Sequence, residues 1–323
     1  MTRVAVVGAG IMGCATAWAL RERGADVSLY EQFEPGHTRG SSHGRTRIFR
    51  LAYPEPEWVA LAEEALPAWR ELERASATEI LALHGLVEVC QDVDVTSRDV
   101  LEERGIDHLL LGPEEARAYG VALPDAWAAL WQPEAGVVRA DVAQRAFLDV
   151  SAVTIERRRI ESLDDVDAEV VVITAGAWVT KLVPDVPVVV TRETIAYFER
   201  EGDAMPSVVE LHPTTRHHAM YALHDPVHGV KAGAHKVGRV ADPDDDEPPD
   251  AELVERIAAW VRERLPGVAP QPVRAETCLY TSTADERFVL ERRGRLVVGS
   301  PCSGHGFKFA PAVGRRLADL ALR

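Results

Sequence analysis

Cysteine is scarce in this chain, and its placement excludes the common cysteine-based structures. The four cysteines are Cys14, Cys90, Cys278 and Cys302, and no two of them stand in a CxxC spacing. A zinc site or a disulfide framework is therefore not expected. A reducing cytoplasm is the compartment that fits this cysteine usage best.

Lysine is equally scarce, and the charge balance is acidic. Among 36 basic residues only Lys181, Lys231, Lys236 and Lys308 are lysines, and 51 acidic residues bring the formal net charge to −15. This balance argues against a nucleic-acid-binding protein, which would need a basic patch. The hydrophobic content of 46% is ordinary for a globular protein, and 323 residues suffice for about two domains.

The sequence also lacks an apolar run that would span a membrane comfortably. Residues 4–20 follow Arg3 and are almost uncharged, as in a signal peptide, but they contain three spaced glycines. A nucleotide-binding turn explains those glycines better. We therefore expect a cytoplasmic protein that has no membrane partner.

Apolar periodicity predicts an α/β chain that begins with a βαβ unit. Strands are predicted over residues 3–7 and 26–31, and the helix between them ends at Gly24. Further helices are predicted over residues 57–75 with a kink at Pro67, over 140–150, around Leu253 to Val261, and from about 308 onward. Further strands are predicted over residues 153–160, 169–174, 274–281, 287–291 and 295–299, and successive strands over 187–234 indicate an antiparallel sheet. The acidic, proline-rich segment 241–250 is predicted to be an exposed loop.

A glycine motif, Gly8-x-Gly10-x-x-Gly13, joins the first strand to the first helix. The first glycine permits a tight turn, the second lets the backbone approach a pyrophosphate, and the third lets the helix pack on the strand. The helix N-terminus offers unpaired N–H groups to phosphates. Glu31 ends the next strand, where it would accept hydrogen bonds from a ribose diol. The motif indicates a dinucleotide site rather than a turn without a ligand, and it leaves the choice between NAD and FAD open.

Small and hydroxylated residues surround three arginines in the segment GSSHGRTRIFR, residues 40–50. Arg47 and Arg50 are three residues apart, so in a helical turn they would share one face. Two cations on one face suit an anionic ligand. An exposed basic loop accounts for the same composition equally well.

The segment KAGAH places Lys231, Gly233 and His235 on one side of a predicted strand. The glycine leaves room for a ligand between the two longer side chains, although taken alone the pattern fits an exposed strand face better. A second glycine-rich loop, GSPCSGHGFKF over residues 299–309, opens the last helix. It offers another site for an anion or a carbonyl group.

Histidines are frequent in one part of the chain, at His212, His217, His218, His224 and His228. Asp225 and Pro226 prevent the last two from sharing a helical face. No compact set of ligands emerges, so we expect no metal site.

In chain order these motifs resemble the monomeric sarcosine oxidase family, which includes N-methyltryptophan oxidase and pipecolate oxidase. The resemblance covers nearly the whole chain and is carried by VAVVGAGIMGCATAWAL, YEQFEPGHTRGSSHGRTRIFR, TAGAW (174–178), GVKAGAH (229–235), CLYT (278–281) and SGHGFKF (303–309). It implies a Rossmann-like FAD-binding domain built from separated segments, and a substrate domain whose antiparallel sheet lies over the flavin. The implied boundaries are 1–76, 133–187 and 279–323 for the FAD-binding domain, and 77–132 and 188–278 for the substrate domain.

The resemblance also implies a reaction and its partners. FAD would accept a hydride from a secondary amine or an N-methyl or cyclic amino acid, and oxygen would then take the electrons and give hydrogen peroxide. The imine would hydrolyse in water. The implied partners are the small-molecule amine and oxygen, in a protein that is a monomer or a small homo-oligomer.

Residue by residue, the resemblance implies roles for the motif positions. Cys278 matches the cysteine that is covalently linked to the flavin, with Cys302 as a rival thiol. Arg50 and Lys308 match the pair that binds the substrate carboxylate, and Lys231 matches the lysine that activates oxygen. The residues that line the family's substrate pocket are matched by His235, Tyr221 and Tyr280. The flavin contacts match Gly8, Gly10, Gly13, Glu31, Ser41, Ser42, His43, Arg47, Gly304, Gly306 and Lys308.

Four other functions compete with this interpretation. A flavin-dependent amine dehydrogenase would pass its electrons to another acceptor, which Lys231 argues against. Arg45 adds a cation where relatives often carry a small or acidic residue, and this favours a tailoring oxidase in a biosynthetic pathway. An NAD-dependent dehydrogenase would have no use for the second glycine-rich loop. A non-catalytic flavin-binding protein would have no need for Arg50, Lys231 and Lys308.

Overall fold

The computed structural model describes residues 1–91, 97–211 and 218–323, and within them the side chain of His218 is left out. The strands are β1 (Arg3–Val7), β2 (Asp26–Glu31), β3 (Thr46–Phe49), β4 (Leu81–Ala82), β5 (Leu86–Cys90), β6 (Leu109–Leu111), β7 (Ala128–Gln132), β8 (Gly136–Arg139), β9 (Ile155–Arg157), β10 (Val170–Ile173), β11 (Val189–Glu199), β12 (Ser207–Leu211), β13 (His218–Asp225), β14 (Gly229–Ala234), β15 (Arg239–Val240), β16 (Pro272–Ser282), β17 (Val289–Arg293) and β18 (Leu296–Ser300). The helices are α1 (Ile11–Glu22), α2 (Pro56–Ser76), α3 (Arg98–Arg104), α4 (Pro113–Ala118), α5 (Ala140–Ser151), α6 (Val179–Leu182), α7 (Ala251–Arg264) and α8 (Ala310–Leu322).

The first sheet contains the predicted βαβ unit and has the order β17-β18-β10-β1-β2-β9. β1 runs parallel to both β2 and β10, while β17 is antiparallel to β18. Aliphatic residues fill both faces of β1, because Val4 and Val6 pack with α1 and Ala5 and Val7 pack toward α6. The carboxyl ends of the parallel strands meet at one edge, which is where ligands bind in sheets of this kind.

Helix α1 is buried continuously from Ile11 to Leu20. Its many small residues make this burial feasible, because α8 approaches it closely. A Cβ on Gly314 of α8 would lie 2.6 Å from the Ala15 backbone. The first helix is therefore fixed in the core, with its N-terminus at the ligand-binding edge of the sheet.

The second sheet has the order β15-β11-β14-β13-β12-β5-β7-β6, and β16 also pairs with β11. Its pairings are antiparallel within the segment 189–234, as far as that segment is described, which confirms the predicted antiparallel sheet. The neighbouring pair β5 and β12 is parallel, so the sheet as a whole is mixed. One face of this sheet packs on α7 through small and apolar residues such as Ala196, Ala222, Ala232 and Trp260. The other face is free to bind a ligand.

A single carboxylate in the loop before α7 caps the N-terminus of this helix. Asp250 Oδ1 accepts hydrogen bonds from the backbone N–H groups of Glu252 (2.9 Å) and Leu253 (3.3 Å). The acidic segment 241–250 is loop apart from this cap, as predicted.

Local structure differs from the sequence-based expectations in two places. The shared helical face considered for Arg47 and Arg50 does not arise, because residues 46–49 form β3 and pair antiparallel with β8 in a small third sheet. The strand predicted over 153–160 is limited to β9, since its pairing with β2 extends only over Ile155–Arg157. Helix α2 continues through Pro67. The division of the chain into two domains stays a prediction.

Candidate active site

A cavity of about 850 Å³ lies between the carboxyl edge of the first sheet and the free face of the second. Fifteen predicted site residues line it: Gly8, Gly10, Glu31, Ser41, Ser42, His43, Arg47, Arg50, Tyr221, Lys231, Cys278, Tyr280, Gly304, Gly306 and Lys308. Gly13 and His235 are not among the lining residues. Two motifs at opposite ends of the chain therefore face one space.

The glycine turn has the tight geometry that the motif requires. Gly8 has a φ of +100°, and a Cβ there would lie 2.6 Å from the carbonyl oxygen of Thr174. A Cβ on Gly13 would lie 1.8 Å from the carbonyl oxygen of Gly8. Gly13 thus lets α1 pack against the turn, which explains why it is essential to the turn without lining the cavity.

Glu31 is fixed at the end of β2 by backbone donors. Its Oε2 accepts from the N–H of Ala9 at 3.0 Å, and its Oε1 accepts from the N–H of Phe33 at 3.1 Å. A carboxylate has about four acceptor sites, so the ribose diol of a dinucleotide can still donate to Glu31.

The loop that contains Ser41 and Ser42 lies against the N-terminus of α1. Ser42 Oγ accepts from the N–H of Ile11 at 3.0 Å, the first residue of that helix. Arg47 donates to the carbonyl oxygens of Ser41 (2.8 Å) and His43 (2.6 Å), which holds the loop in place. The arginine therefore has a structural role beside the positive charge it brings to the cavity.

Several polar residues at the Glu31 end belong to no motif in the sequence. Gln144 on α5 donates to the carbonyl oxygen of Ala9 at 2.6 Å. The cations that line this end of the cavity are Arg145, Arg158, Arg159 and Lys181. They suit the phosphates of a dinucleotide. No single motif could reveal them, because they come from three segments, at residues 144–145, 158–159 and 181, that meet only in the folded chain.

One row of residues crosses the free face of the second sheet. Register partners link Glu88 to Val209, Val209 to Tyr221, Tyr221 to Gly233, Gly233 to Ile195, and Ile195 to Glu276. Directly opposed residues point to the same side of a sheet, so the row lies on one face, and its members Val209, Tyr221 and Ile195 line the cavity. The side of β14 that carries Lys231, Gly233 and His235 is therefore part of one face that extends over six strands.

Gly233 makes room for an aromatic side chain in this row. The hydroxyl of Tyr221 lies 2.6 Å from where a Cβ of Gly233 would be. His235 lies next to Tyr280, with 3.4 Å between the tyrosine hydroxyl and Nδ1. Gly304, at a φ of +75°, lets both of these rings approach its backbone. The space that the sequence suggests for a ligand across Gly233 is thus filled by Tyr221.

Lys231 is a buried ammonium in the wall of the cavity. Its Nζ donates to the carbonyl oxygen of Thr46 at 3.1 Å. Burial, and then the nearby Arg47 guanidinium, lower the pKa of Lys231 to about 7, against the opposing effects of Cys278 and Glu276. Near neutral pH this group can therefore gain or lose its charge.

Two thiols, those of Cys278 and Cys302, line the cavity. Burial raises the pKa of Cys278, while Arg47 and Lys231 favour its thiolate. Cys302 accepts a hydrogen bond from the N–H of Thr281 at 3.4 Å. The other two cysteines do not line the cavity.

Two buried cations, Arg50 and Lys308, line the cavity near one another. Lys308 is 1% exposed, and its Nζ donates to the Tyr53 hydroxyl (2.7 Å) and to the carbonyl oxygen of His305 (2.8 Å). Burial, reinforced by the charge of Arg50, holds the pKa of Lys308 well below its usual range. The guanidinium of Arg50 lies 4.2 Å from the centre of the Tyr53 ring. A carboxylate in this place would satisfy both cations.

Trp69 of α2 positions Lys308 from behind. Its Nε1 donates to the Lys308 carbonyl oxygen at 2.7 Å, and the indole is fully buried. Trp69 and Tyr53, which contact Lys308, are each more than 200 positions away from it in the chain.

An acidic side chain, Glu276, lies near the predicted flavin-side residues. It accepts a hydrogen bond from Tyr197, and its Oε1 is 3.9 Å from His43 Nδ1. Burial, and then the charge of Arg47, lower the pKa of His43 to about 4, so the imidazole is neutral at pH 7. No motif in the sequence marks Glu276, although it stands two residues before Cys278 on the same face of β16.

The residues of this cavity fit FAD. One end has the glycine turn, the N-terminus of α1 and an acid for the ribose, as a dinucleotide requires. Toward the other end, the Ser300 hydroxyl and His305 Nδ1 are buried without a hydrogen-bond partner among the described residues. Both residues line the cavity, where polar atoms of a flavin ring would satisfy them.

The described residues contain neither a cluster that could hold a metal ion nor a helix that could span a membrane. No group of three or more histidine, cysteine, aspartate or glutamate side chains in them could hold a metal ion. His212 and His217 of the predicted histidine-rich segment lie outside this part of the chain. In the same residues, no helix is both long and apolar enough to cross a bilayer.

Comparison with protein families gives one match over nearly the full length. Residues 3–320 match the family described as FAD dependent oxidoreductase. Human peroxisomal sarcosine oxidase is 30% identical over 358 residues, which cover 98% of this chain and 91% of the human protein. Monomeric sarcosine oxidase from Bacillus sp. (strain B-0618) is 28% identical, with coverage of 99% and 92%.

Solved structures give the same fold. The chain is similar to NikD, described as an unusual amino acid oxidase essential for nikkomycin biosynthesis, with a TM-score of 0.85 and 25% identity over 100% of this chain and 94% of NikD. It is also similar in fold to L-proline dehydrogenase from P. horikoshii, with a TM-score of 0.84, 19% identity, and coverage of 99% and 92%.

Proposed function

Since this chain belongs to the FAD-dependent oxidoreductases and, within them, to the sarcosine oxidase family, we propose that it oxidises a secondary amine that carries a carboxylate. The substrate class is N-methyl or cyclic amino acids. Oxygen is the electron acceptor, and the products are hydrogen peroxide and an imine that hydrolyses.

One observation carries this proposal: two buried cations, Arg50 and Lys308, line the same cavity as a dinucleotide-binding turn. A buried cation is costly unless it has a partner; Glu88 pairs with Arg50, and a substrate carboxylate would balance the second positive charge. Charge-assisted hydrogen bonds of this kind contribute about 1.5–3 kcal/mol each. The pair would orient the amine and hold it away from water.

FAD, when bound, supplies the hydride acceptor and the route of electrons to oxygen. The chain supplies the contacts around it. Lys231 holds a positive charge where oxygen acquires negative charge. Tyr221 and Tyr280 form the wall beside the substrate, and His235 contacts Tyr280 without lining the cavity. Gly8, Gly10, Glu31, Ser41 and Ser42 hold the dinucleotide, with Gly304 and Gly306 at its other end.

Three finer features belong to the same proposal. Cys278, a buried thiol in the wall of the cavity near two cations, forms a covalent bond to the flavin ring. The protein is cytoplasmic, a proposal that the free cysteines support. It is a monomer or a small homo-oligomer.

An oxidase and a dehydrogenase differ in how they treat oxygen. Lys231 favours the oxidase, because a fixed cation promotes electron transfer to oxygen and has no comparable use with a protein or quinone acceptor. Peroxide release during turnover separates the two functions. A dehydrogenase would reduce an artificial dye and release no peroxide.

The direct test is a visible spectrum followed by a substrate screen. Purified protein should be yellow, with the absorbance of oxidised flavin. Sarcosine, N-methyl amino acids, proline and pipecolate should each be mixed with it in the absence of oxygen. Bleaching by at least one of them supports the proposal, and a colourless protein that binds NAD contradicts it.

A further inference from the structure

A buried carboxylate, Glu88, contacts Arg50 at the cation-rich end of the cavity. Glu88 stands on β5 and is fully inaccessible to solvent. Its Oε2 accepts from Arg50 Nη1 at 3.3 Å. Its Oε1 accepts from the N–H and the hydroxyl of Ser97, each at 3.1 Å. The function proposed above gives this acid no role.

Glu88 belongs to a structure that fixes Arg50 from two sides. Gln132 on the neighbouring strand β7 accepts from the N–H groups of Leu51 and Ala52, both at 3.1 Å. Glu88 thus holds the guanidinium of Arg50, while Gln132 holds the backbone that follows it. Both acceptors are fully buried, so water does not compete for these bonds.

The charge on Glu88 matters for any anion that enters. Burial raises the pKa of Glu88, but the Arg50 charge and the Ser97 hydrogen bonds oppose that rise. The Arg50 guanidinium and the two hydrogen bonds from Ser97 stabilise the anionic form of Glu88. An entering carboxylate favours the protonated form of Lys308, and Arg50, Lys308 and Glu88 then carry a formal charge of +1. That charge matches one carboxylate.

We propose that Glu88 is a positioning and specificity-determining residue for substrate binding. Its hydrogen bonds hold the Arg50 guanidinium in the cavity wall, and its negative charge adapts this end of the cavity to ligands with a single carboxylate. The inference rests on the proposed function, because that carboxylate is the substrate's. Glu88 touches neither the substrate nor the flavin in this account and acts through Arg50.

Two substitutions separate the charge from the hydrogen bonds. Glu88→Gln keeps the size and one acceptor oxygen, which can still accept from Arg50, but removes the charge, so acetate should bind about tenfold more tightly than to the wild type. The affinity for malonate, which has two carboxylates, should rise by a larger factor than the affinity for acetate, because the charge of Glu88 no longer repels the second carboxylate. Glu88→Ala removes the acceptor as well, so its acetate affinity should fall at least about tenfold below that of Glu88→Gln.

The measurement is calorimetric titration of the flavin-loaded protein with acetate and malonate. Acetate affinity of Glu88→Gln that is unchanged or weaker than wild type overturns the charge effect. A gain for malonate no larger than that for acetate overturns the specificity claim. Equal acetate affinities of Glu88→Ala and Glu88→Gln overturn the positioning claim.

Glu210→Gln is the matched control. Glu210 lies next to Val209 on β12 and pairs with Arg264 at 2.7 Å, with both side chains mostly buried on the opposite face of the same sheet. Glu210→Gln removes the same charge from a similar ion pair that lies outside the cavity. Its acetate and malonate affinities should equal those of the wild type, and changes as large as those of Glu88→Gln would overturn the inference.

Unstable variants do not prevent the test. The rise of Tm with acetate concentration gives the same dissociation constant, provided that the variant folds in the presence of acetate. A Glu88→Gln protein that does not fold even then overturns the charge effect. Acetate is not oxidised, so these results do not depend on turnover. Failure of every amine to react would refute the proposed function and leave the acetate result standing.

Discussion

Lys231 reaches from β14 of the second sheet to β3 of the third, where its Nζ donates a 3.1 Å hydrogen bond to the carbonyl oxygen of Thr46. The lysine is only 2% exposed. Its position is therefore fixed at both ends, and water is sparse around its charge. Under these conditions a cation stabilises a developing negative charge most strongly.

Replacing Lys231 should impair the reaction with oxygen far more than the reaction with the amine. Lys231→Met keeps the length of the side chain and removes the charge. Flavin reduction by substrate without oxygen should stay within about tenfold of wild type, while reoxidation should slow at least about a hundredfold. Stopped-flow absorbance follows both half-reactions.

The control for this variant is Lys236→Met. Lys236 follows the same strand but forms an ion pair with Glu286 and does not line the cavity. It should leave both half-reactions unchanged. If Lys231→Met instead abolishes flavin reduction and leaves reoxidation intact, Lys231 acts on the substrate and its proposed role is wrong.

The lowered pKa of Lys231 should appear in the pH dependence of stability. The folded-state value is about 7, against 10.5 for an exposed lysine. Between these values the unfolded chain holds more protons, so the contribution of Lys231 to the free energy of unfolding rises with pH, by up to about 1.4 kcal/mol per unit. Below pH 7 both states are protonated and the cost of burying the charge is largest.

Urea unfolding of flavin-free protein at pH 7, 8 and 9 measures this effect. Cys278→Ala provides the background, because its flavin should be removable. As the pH rises, the free energy of unfolding of Cys278→Ala should increase relative to that of the double variant Cys278→Ala/Lys231→Met. A difference that does not change with pH would contradict a lowered pKa.

Cys278 should hold the flavin covalently. Wild-type protein precipitated with acid should stay yellow, and Cys278→Ala should release its colour to the supernatant. Cys302→Ala is the matched control, since that thiol lines the same cavity. Free FAD released from the wild type, or released by Cys302→Ala alone, would refute the assignment to Cys278.

Arg50 and Lys308 should determine the need for a carboxylate. Arg50→Ala and Lys308→Met should each weaken the binding of pipecolate about ten- to a hundredfold, as expected for the loss of about 1.5–3 kcal/mol. Piperidine, the same ring without the carboxylate, should react poorly with the wild type and lose little in the variants. Equal kcat/KM values of the wild type for the two compounds would exclude the proposed carboxylate site.

Gly13 should be required for the nucleotide turn. Gly13→Ala places a Cβ 1.8 Å from a backbone oxygen, so the turn must distort and flavin content should fall severely. Gly267→Ala adds the same methyl group where nothing lies within 4 Å and should keep its full flavin content. The ratio of flavin absorbance to protein absorbance measures this. An unchanged ratio in Gly13→Ala would contradict the close contact.

Sequence alone predicts those parts of the site that local pattern determines. Gly8, Gly13 and Glu31 belong to one continuous βαβ unit, so their arrangement follows from their order. Lys231 and Gly233 point to one side because strand alternation requires it. Each prediction depends on residues fewer than about 25 positions apart.

Contacts between distant segments account for what the sequence does not reveal. Arg47 and Arg50 do not share a helical face, because β3 pairs with β8, some 90 residues away. Glu88 reads as an ordinary polar residue of a strand until folding places it against Arg50. No periodicity or spacing marks such a residue, since its role arises only from tertiary contacts.

The measurement that tests the central claim most directly is a single anaerobic turnover followed by oxygen. Purified protein mixed with pipecolate or an N-methyl amino acid should lose its flavin absorbance. Admission of oxygen should restore the absorbance and release one hydrogen peroxide per flavin, and hydrolysis should give the expected carbonyl product. A flavin that no carboxylate-bearing secondary amine bleaches, or one that regains its colour without peroxide, would contradict the account.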